Sequence, residues 1–186
     1  MKAMRKKYAE LFETVLEQVQ EEHEELDCEG IHVTNENGLN VGLGSTSWPS
    51  KWPKWPSGLW IGCLRLEDLV TEDGDAPGGG IWLEPPKEFG LDIKEAARKF
   101  QAAAPKILNK EELDRMDLDE PEAGYCHVWY TFPQSRQEVL DLLLKDDTKE
   151  FVKCMVDHFE TLAKFIPVIN DILQTSKRKR NQKQGA

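Results

Sequence analysis

The 186-residue sequence lacks any long apolar run; no stretch approaches the roughly twenty apolar residues of a membrane-spanning helix. A helical membrane anchor within it is excluded on that ground. Cysteine is sparse and scattered: Cys28, Cys63, Cys126 and Cys154 form no CxxC pair. The opening MKAMRKKYAELFETV has basic residues but no apolar run behind them, so it does not read as a secretory signal. Reduced thiols in a cytoplasmic protein are the expectation. Apolar residues make up only 39% of the chain and charged ones 31%, which points to a modest core under a heavily charged surface. A chain of this length still buries enough to fold as one ordinary domain without a metal or disulfide staple.

Positive charge is also scarce, except in one place. Lys and Arg number 24 against 34 acids, for a net charge of −10. Ser176–Ala186 alone carries Lys177, Arg178, Lys179, Arg180 and Lys183 with no acid, so subtracting those five cations leaves residues 1–175 at −15. Lys and Arg supply most of the affinity for phosphate backbones, so a body this acidic is not expected to bind duplex nucleic acid. It suits a protein partner with a basic surface, where complementary charge speeds association and selects the partner. The basic residues at 176–186 read as a disordered, solubilising tail, with a nuclear address or an anionic-surface contact as the functional alternatives.

The periodicity changes along the chain. Tyr8, Leu11, Phe12, Val15, Leu16, Val19, His23 and Leu26 recur at three- and four-residue steps and predict a helix over 4–27, stopped by Gly30. IHVTNENGLNVGLG then reads as two strands around Asn37-Gly38, a strong hairpin signal. GLWIGCLRLEDLV and GIWLEPP supply two more strands on either side of the loop TEDGDAPGGG, so residues 30–86 predict a four-stranded antiparallel meander. Asp92-Ile-Lys-Glu95, Asn109-Lys-Glu-Glu112 and Ser135-Arg-Gln-Glu138 mark three helix starts, with Pro105 expected to bend or end the first helix. GYCHVWYTF between them is a further strand. The last helical stretch carries Phe151, Cys154, Met155, His158, Phe159, Leu162, Phe165 and Ile166; Pro167 is expected to kink or end it, with about two turns following. The fold class is α+β: a single domain over 1–175 with a mostly antiparallel sheet of four to five strands packed against N- and C-terminal helices.

Against this scarcity, one segment is rich. WPSKWPKWPSGLW, residues 48–60, holds Trp48, Trp52, Trp55 and Trp60 with three Trp-Pro pairs. Each proline confines the tryptophan before it to extended geometry, which makes a stiff aromatic strap that loses little entropy on binding. Its rings either lid one end of the sheet or form a contact surface of the kind where interface energy concentrates. Glu24, Glu25, Asp117 and Asp119, from the runs EEHEELDCE and DRMDLDEPE, are the acids placed to meet a basic partner.

Two Cys/His pairs have metal-compatible spacing, Cys154 with His158 and Cys28 with His32. The first lies within an apolar helical stripe and the second straddles Gly30. A buried thiol beside a hydrogen-bonded core histidine explains the first pair without a metal. The loop Glu72–Gly80 matches neither a twelve-residue calcium loop nor a phosphate loop. No cofactor is expected, and no carboxylate pair is singled out as acid and base. The sequence therefore reads first as an interaction module, an adaptor, chaperone or inhibitor docking on a basic protein, with a nucleic-acid-handling protein among the candidates, and second as a metal-dependent hydrolase or zinc protein built on Cys, His and Asp.

Overall fold

The computed structural model describes residues 2–34, 38–51, 57–61, 77–118, 126–145 and 147–184. Helix α1 spans Lys2–Glu22 and buries Tyr8, Phe12, Val15, Leu16 and Val19 along one side, as its three- and four-residue spacing dictates. It ends before Gly30. Its last turn has no basic residue, and acids at 21, 22, 24 and 25 are unfavourable beside the negative end of the helix dipole. A turn closed by His23 N–H to the Val19 carbonyl and Leu26 N–H to the His23 carbonyl leads into the sheet.

Strands β1 (Cys28–Thr34), β2 (Gly38–Gly44), β3 (Gly58–Ile61) and β4 (Gly78–Leu83) form the meander that the sequence predicts. Strand β6 (Cys126–Thr131) pairs with β4, and β5, only Met116–Asp117, adds to its outer edge. The order is β1-β2-β3-β4-β6-β5 and every pairing is antiparallel. Two-residue β5 lies inside an acid run whose composition hides it.

After a 3₁₀ turn at Lys87–Phe89 come α2 (Ile93–Ile107), α3 (Lys110–Leu113), α4 (Arg136–Leu144), α5 (Lys149–Ala163) and α6 (Ile166–Gln184). The Asn109 and Ser135 caps are complete capping boxes, and Asp92 accepts from the Glu95 N–H at 3.0 Å. Pro105 stands in the last turn of α2, which ends two residues later at Ile107. One proline expectation needs correcting. Pro167 is the second residue of α6 and helps to start it, because a missing N–H costs nothing in a first turn. The break comes earlier, at Lys164 and Phe165. Helix α6 continues from Ser176 through the basic stretch to Gln184.

Helices α1, α4 and α5 pack together, α5 covers β3 and β4, and α2 contacts β6 and α6. Alternation along each strand sends Val41, Leu43, Leu59, Ile61, Ile81, Leu83, Val128 and Tyr130 to this covered side, and all are buried. Aromatic rings knit the layer, with Phe12 edge-on to Tyr8 at 4.8 Å and to Phe151 at 5.8 Å. Among the described residues no helix is long and apolar enough to cross a membrane.

Candidate functional site

The other face of the sheet follows from the same alternation. Gly42, Trp60, Gly80 and Trp129 lie in register across β2, β3, β4 and β6, and Asp117 of β5 continues the row beside Trp129. One step along, Gly44, Gly58, Trp82 and His127 form a second row. In the first row glycine and tryptophan alternate across the strands, and glycines of this face give the indoles room to lie flat. A Cβ at Gly42 would stand 2.3 Å from the Trp60 ring, and one at Gly78 would stand 2.4 Å from the Trp129 ring. Gly58 is compelled differently, since its Cβ would meet the Leu43 carbonyl oxygen at 2.2 Å. Trp60 is 6% exposed, whereas Trp82 and Trp129 are partly exposed and Asp117 is exposed.

The strap is fastened at both ends. Trp48 is buried at 5% exposure and donates its indole N–H to Asn170 Oδ1 on α6 at 2.8 Å. Lys51 N–H donates to the Glu84 carbonyl at 2.8 Å, and its ammonium pairs with the Glu84 carboxylate at 3.1 Å. The buried Ser57 hydroxyl donates to the Pro49 carbonyl at 2.8 Å and accepts from the Glu84 N–H at 3.3 Å. The Trp82 indole N–H reaches the same carboxylate at 3.3 Å. Glu84, where β4 ends, therefore ties both feet of the strap to the outer-face tryptophan beside it. Trp52 and Trp55 lie outside the described residues. Trp48 and Trp60 have their rings committed to the fold, which removes them from a solvent-facing contact and matches the lid alternative at those two positions.

The acids separate. Glu24 and Glu25 are exposed on the turn after α1, close in the chain to Asp27, which accepts from the Thr46 hydroxyl at 2.6 Å and the Thr46 N–H at 2.7 Å. Those bonds, the hydroxyl's first, hold the Asp27 carboxyl below its ordinary pKa. The acidic turn is thereby anchored just before Trp48. Asp117 stands at the opposite edge of the sheet, on the tryptophan face, and Asp119 lies outside the described residues. Glu13, Glu17, Glu21, Glu24 and Glu25 are exposed and form no ion pair among the described residues.

Cys154 and His158 meet within α5, sulfur to Nε2 at 3.5 Å, and the same nitrogen is 3.0 Å from Gln134 Oε1. The imidazole stacks on Phe132 with ring centroids 3.7 Å apart. Burial pushes the thiol up to about 11 and the histidine down to about 4. Both are neutral at pH 7, the opposite of the thiolate–imidazolium state of an activated nucleophile. Gln134 is the third polar group here, and no group of three or more His, Cys, Asp or Glu suited to a metal occurs among the described residues. The side chains of Cys28 and His32 lie outside that description.

Sequence reasoning missed Trp82 and Trp129. Their signal is the alternation in GGGIWL and CHVWYT, which becomes a shared face only once register is known. No family model matches this chain, and no curated protein and no solved structure matches it.

Proposed function

We propose that this protein is a non-enzymatic interaction module that takes a basic protein partner on the tryptophan face of its sheet. The observation that supports it is the row in which partly exposed Trp129 stands in register with exposed Asp117. A Lys or Arg side chain laid on an indole gains cation–π attraction of about 1 kcal/mol, and a neighbouring carboxylate supplies its counter-charge. An enclosed cleft with convergent acid and base groups would favour an enzyme; partly exposed indoles beside an exposed carboxylate favour a surface ligand. The body's negative charge brings such a partner in, and Trp52 and Trp55 of the strap extend the proposed contact.

The test is titration of the protein with an arginine-rich peptide, followed by indole fluorescence. Asp117→Asn combined with Trp129→Phe should weaken binding about tenfold, as expected for two contacts of roughly 0.7 kcal/mol each, with the urea midpoint little changed. Glu24→Gln with Glu25→Gln should mainly slow association. Equal affinity of wild type and the Asp117/Trp129 variant would move the contact off this face.

A further inference from the structure

The last two turns of α6 are built differently from the rest of the helix. Among the described side chains its buried stripe, Ile166, Ile169, Ile172, Leu173 and Ser176, stops at Ser176, yet the helix runs on to Gln184. Lys177, Arg178, Lys179, Arg180 and Lys183 lie on this extension, and no acidic or apolar residue occurs between Lys177 and Gln184. Lys177, Arg178 and Arg180 are exposed, and none forms an ion pair among the described residues. The body offers a large excess of carboxylates, but among the described residues Lys177, Arg178 and Arg180 do not use them.

We infer that this extension is a nucleic-acid-binding element that enters the phosphate-lined groove of a duplex. The shape of the charge decides among anionic partners. At 3.6 residues per turn, positions 178, 179, 183 and 180 stand about 100°, 200°, 240° and 300° around the helix axis from Lys177, so the five cationic positions ring the helix. A membrane or a protein surface is flat and meets one side of a helix. A membrane-surface helix also needs an apolar face to bury, and this one has none. A groove has phosphates on both walls and satisfies cations all round. The acidic body repels the rest of the duplex, which confines contact to the extension. The site is separate from the tryptophan face, and the basic partner expected there would then sit beside nucleic acid.

The experiment is fluorescence anisotropy of labelled duplex DNA and duplex RNA with the full chain at rising salt, comparing wild type with the triple variant Lys177→Gln, Arg178→Gln, Arg180→Gln. All three side chains are exposed, so unchanged circular dichroism should confirm folding. Wild type should bind at low salt, with the logarithm of affinity falling by about 0.9 per neutralised phosphate for each unit of log salt. The triple variant should lose at least about tenfold in affinity, and its slope should fall by between about 2 and 3. No wild-type binding, or equal binding by the variant, overturns the inference. So does equally tight, equally variant-sensitive binding to vesicles of mixed neutral and anionic lipid, which would show that the charge is read without a groove.

Discussion

At the scale of the residue, glycine and histidine carry the clearest consequences. Gly42 and Gly78 lie under indole rings at distances no Cβ tolerates. Gly42→Ala or Gly78→Ala should therefore destabilise by about 2 kcal/mol through overpacking, measured as a lower urea midpoint. Sequence reading alone places Gly42 in a strand and Gly78 in the loop TEDGDAPGGG, and gives neither a reason to be glycine, because the ring above each belongs to another strand. His158 has a folded pKa of about 4 against an ordinary 6.5. Between those values the unfolded chain binds the proton and the folded one does not, so stability is fully present above pH 6.5 and falls as pH drops towards 4. The loss should reach about 3 kcal/mol. Urea melts from pH 4 to 7 should show this slope in wild type and not in His158→Gln, whose carboxylates contribute equally in both. Cys154, 8% exposed with its thiol raised to about 11, should resist alkylation at pH 8 until the protein unfolds. Rapid native labelling would place that thiol elsewhere.

At the scale of the element, the caps were legible because they are local. Ser135 accepts from the Glu138 N–H, and the Glu138 carboxylate accepts from the Ser135 N–H at 2.7 Å; four residues of sequence suffice to specify both bonds. Ser135→Ala should cost about 1 kcal/mol in thermal or urea unfolding. Helix α1 shows the reverse case. Glu13, Glu17 and Glu21 repeat at i, i+4 on its exposed side, a repulsion of a few tenths of a kcal/mol per pair at low salt. Glu17→Gln should raise the melting temperature slightly in dilute buffer and leave it unchanged at 1 M salt, where screening is nearly complete. That a stabilising change is so near at hand accords with a surface held acidic for encounter with a partner. The start of α6 was misjudged because proline's cost depends on its place within a helix, which composition does not show.

At the scale of the whole molecule, one layer of helices covers one face of an antiparallel sheet, and charge is segregated between an acidic body and a basic helical extension. Both proposed surfaces use this division: the tryptophan face for a cationic protein, the extension for a phosphate groove. The two are separable. Loss of peptide binding on changing Asp117 and Trp129 should leave duplex binding intact, and the Lys177, Arg178 and Arg180 variant should do the converse.

The sequence by itself determined the class of fold, the meander, the capped helix starts and the place of Cys154 and His158 in an apolar helical stripe. Each of these is written in residues close along the chain or in one helical period. Only the tertiary structure decided that Trp48 and Trp60 are buried, that Trp82 and Trp129 share a face with Asp117, and that α6 outruns its core. Those facts depend on which strands become neighbours and in what register, and pairing between distant segments is set by packing of the whole chain.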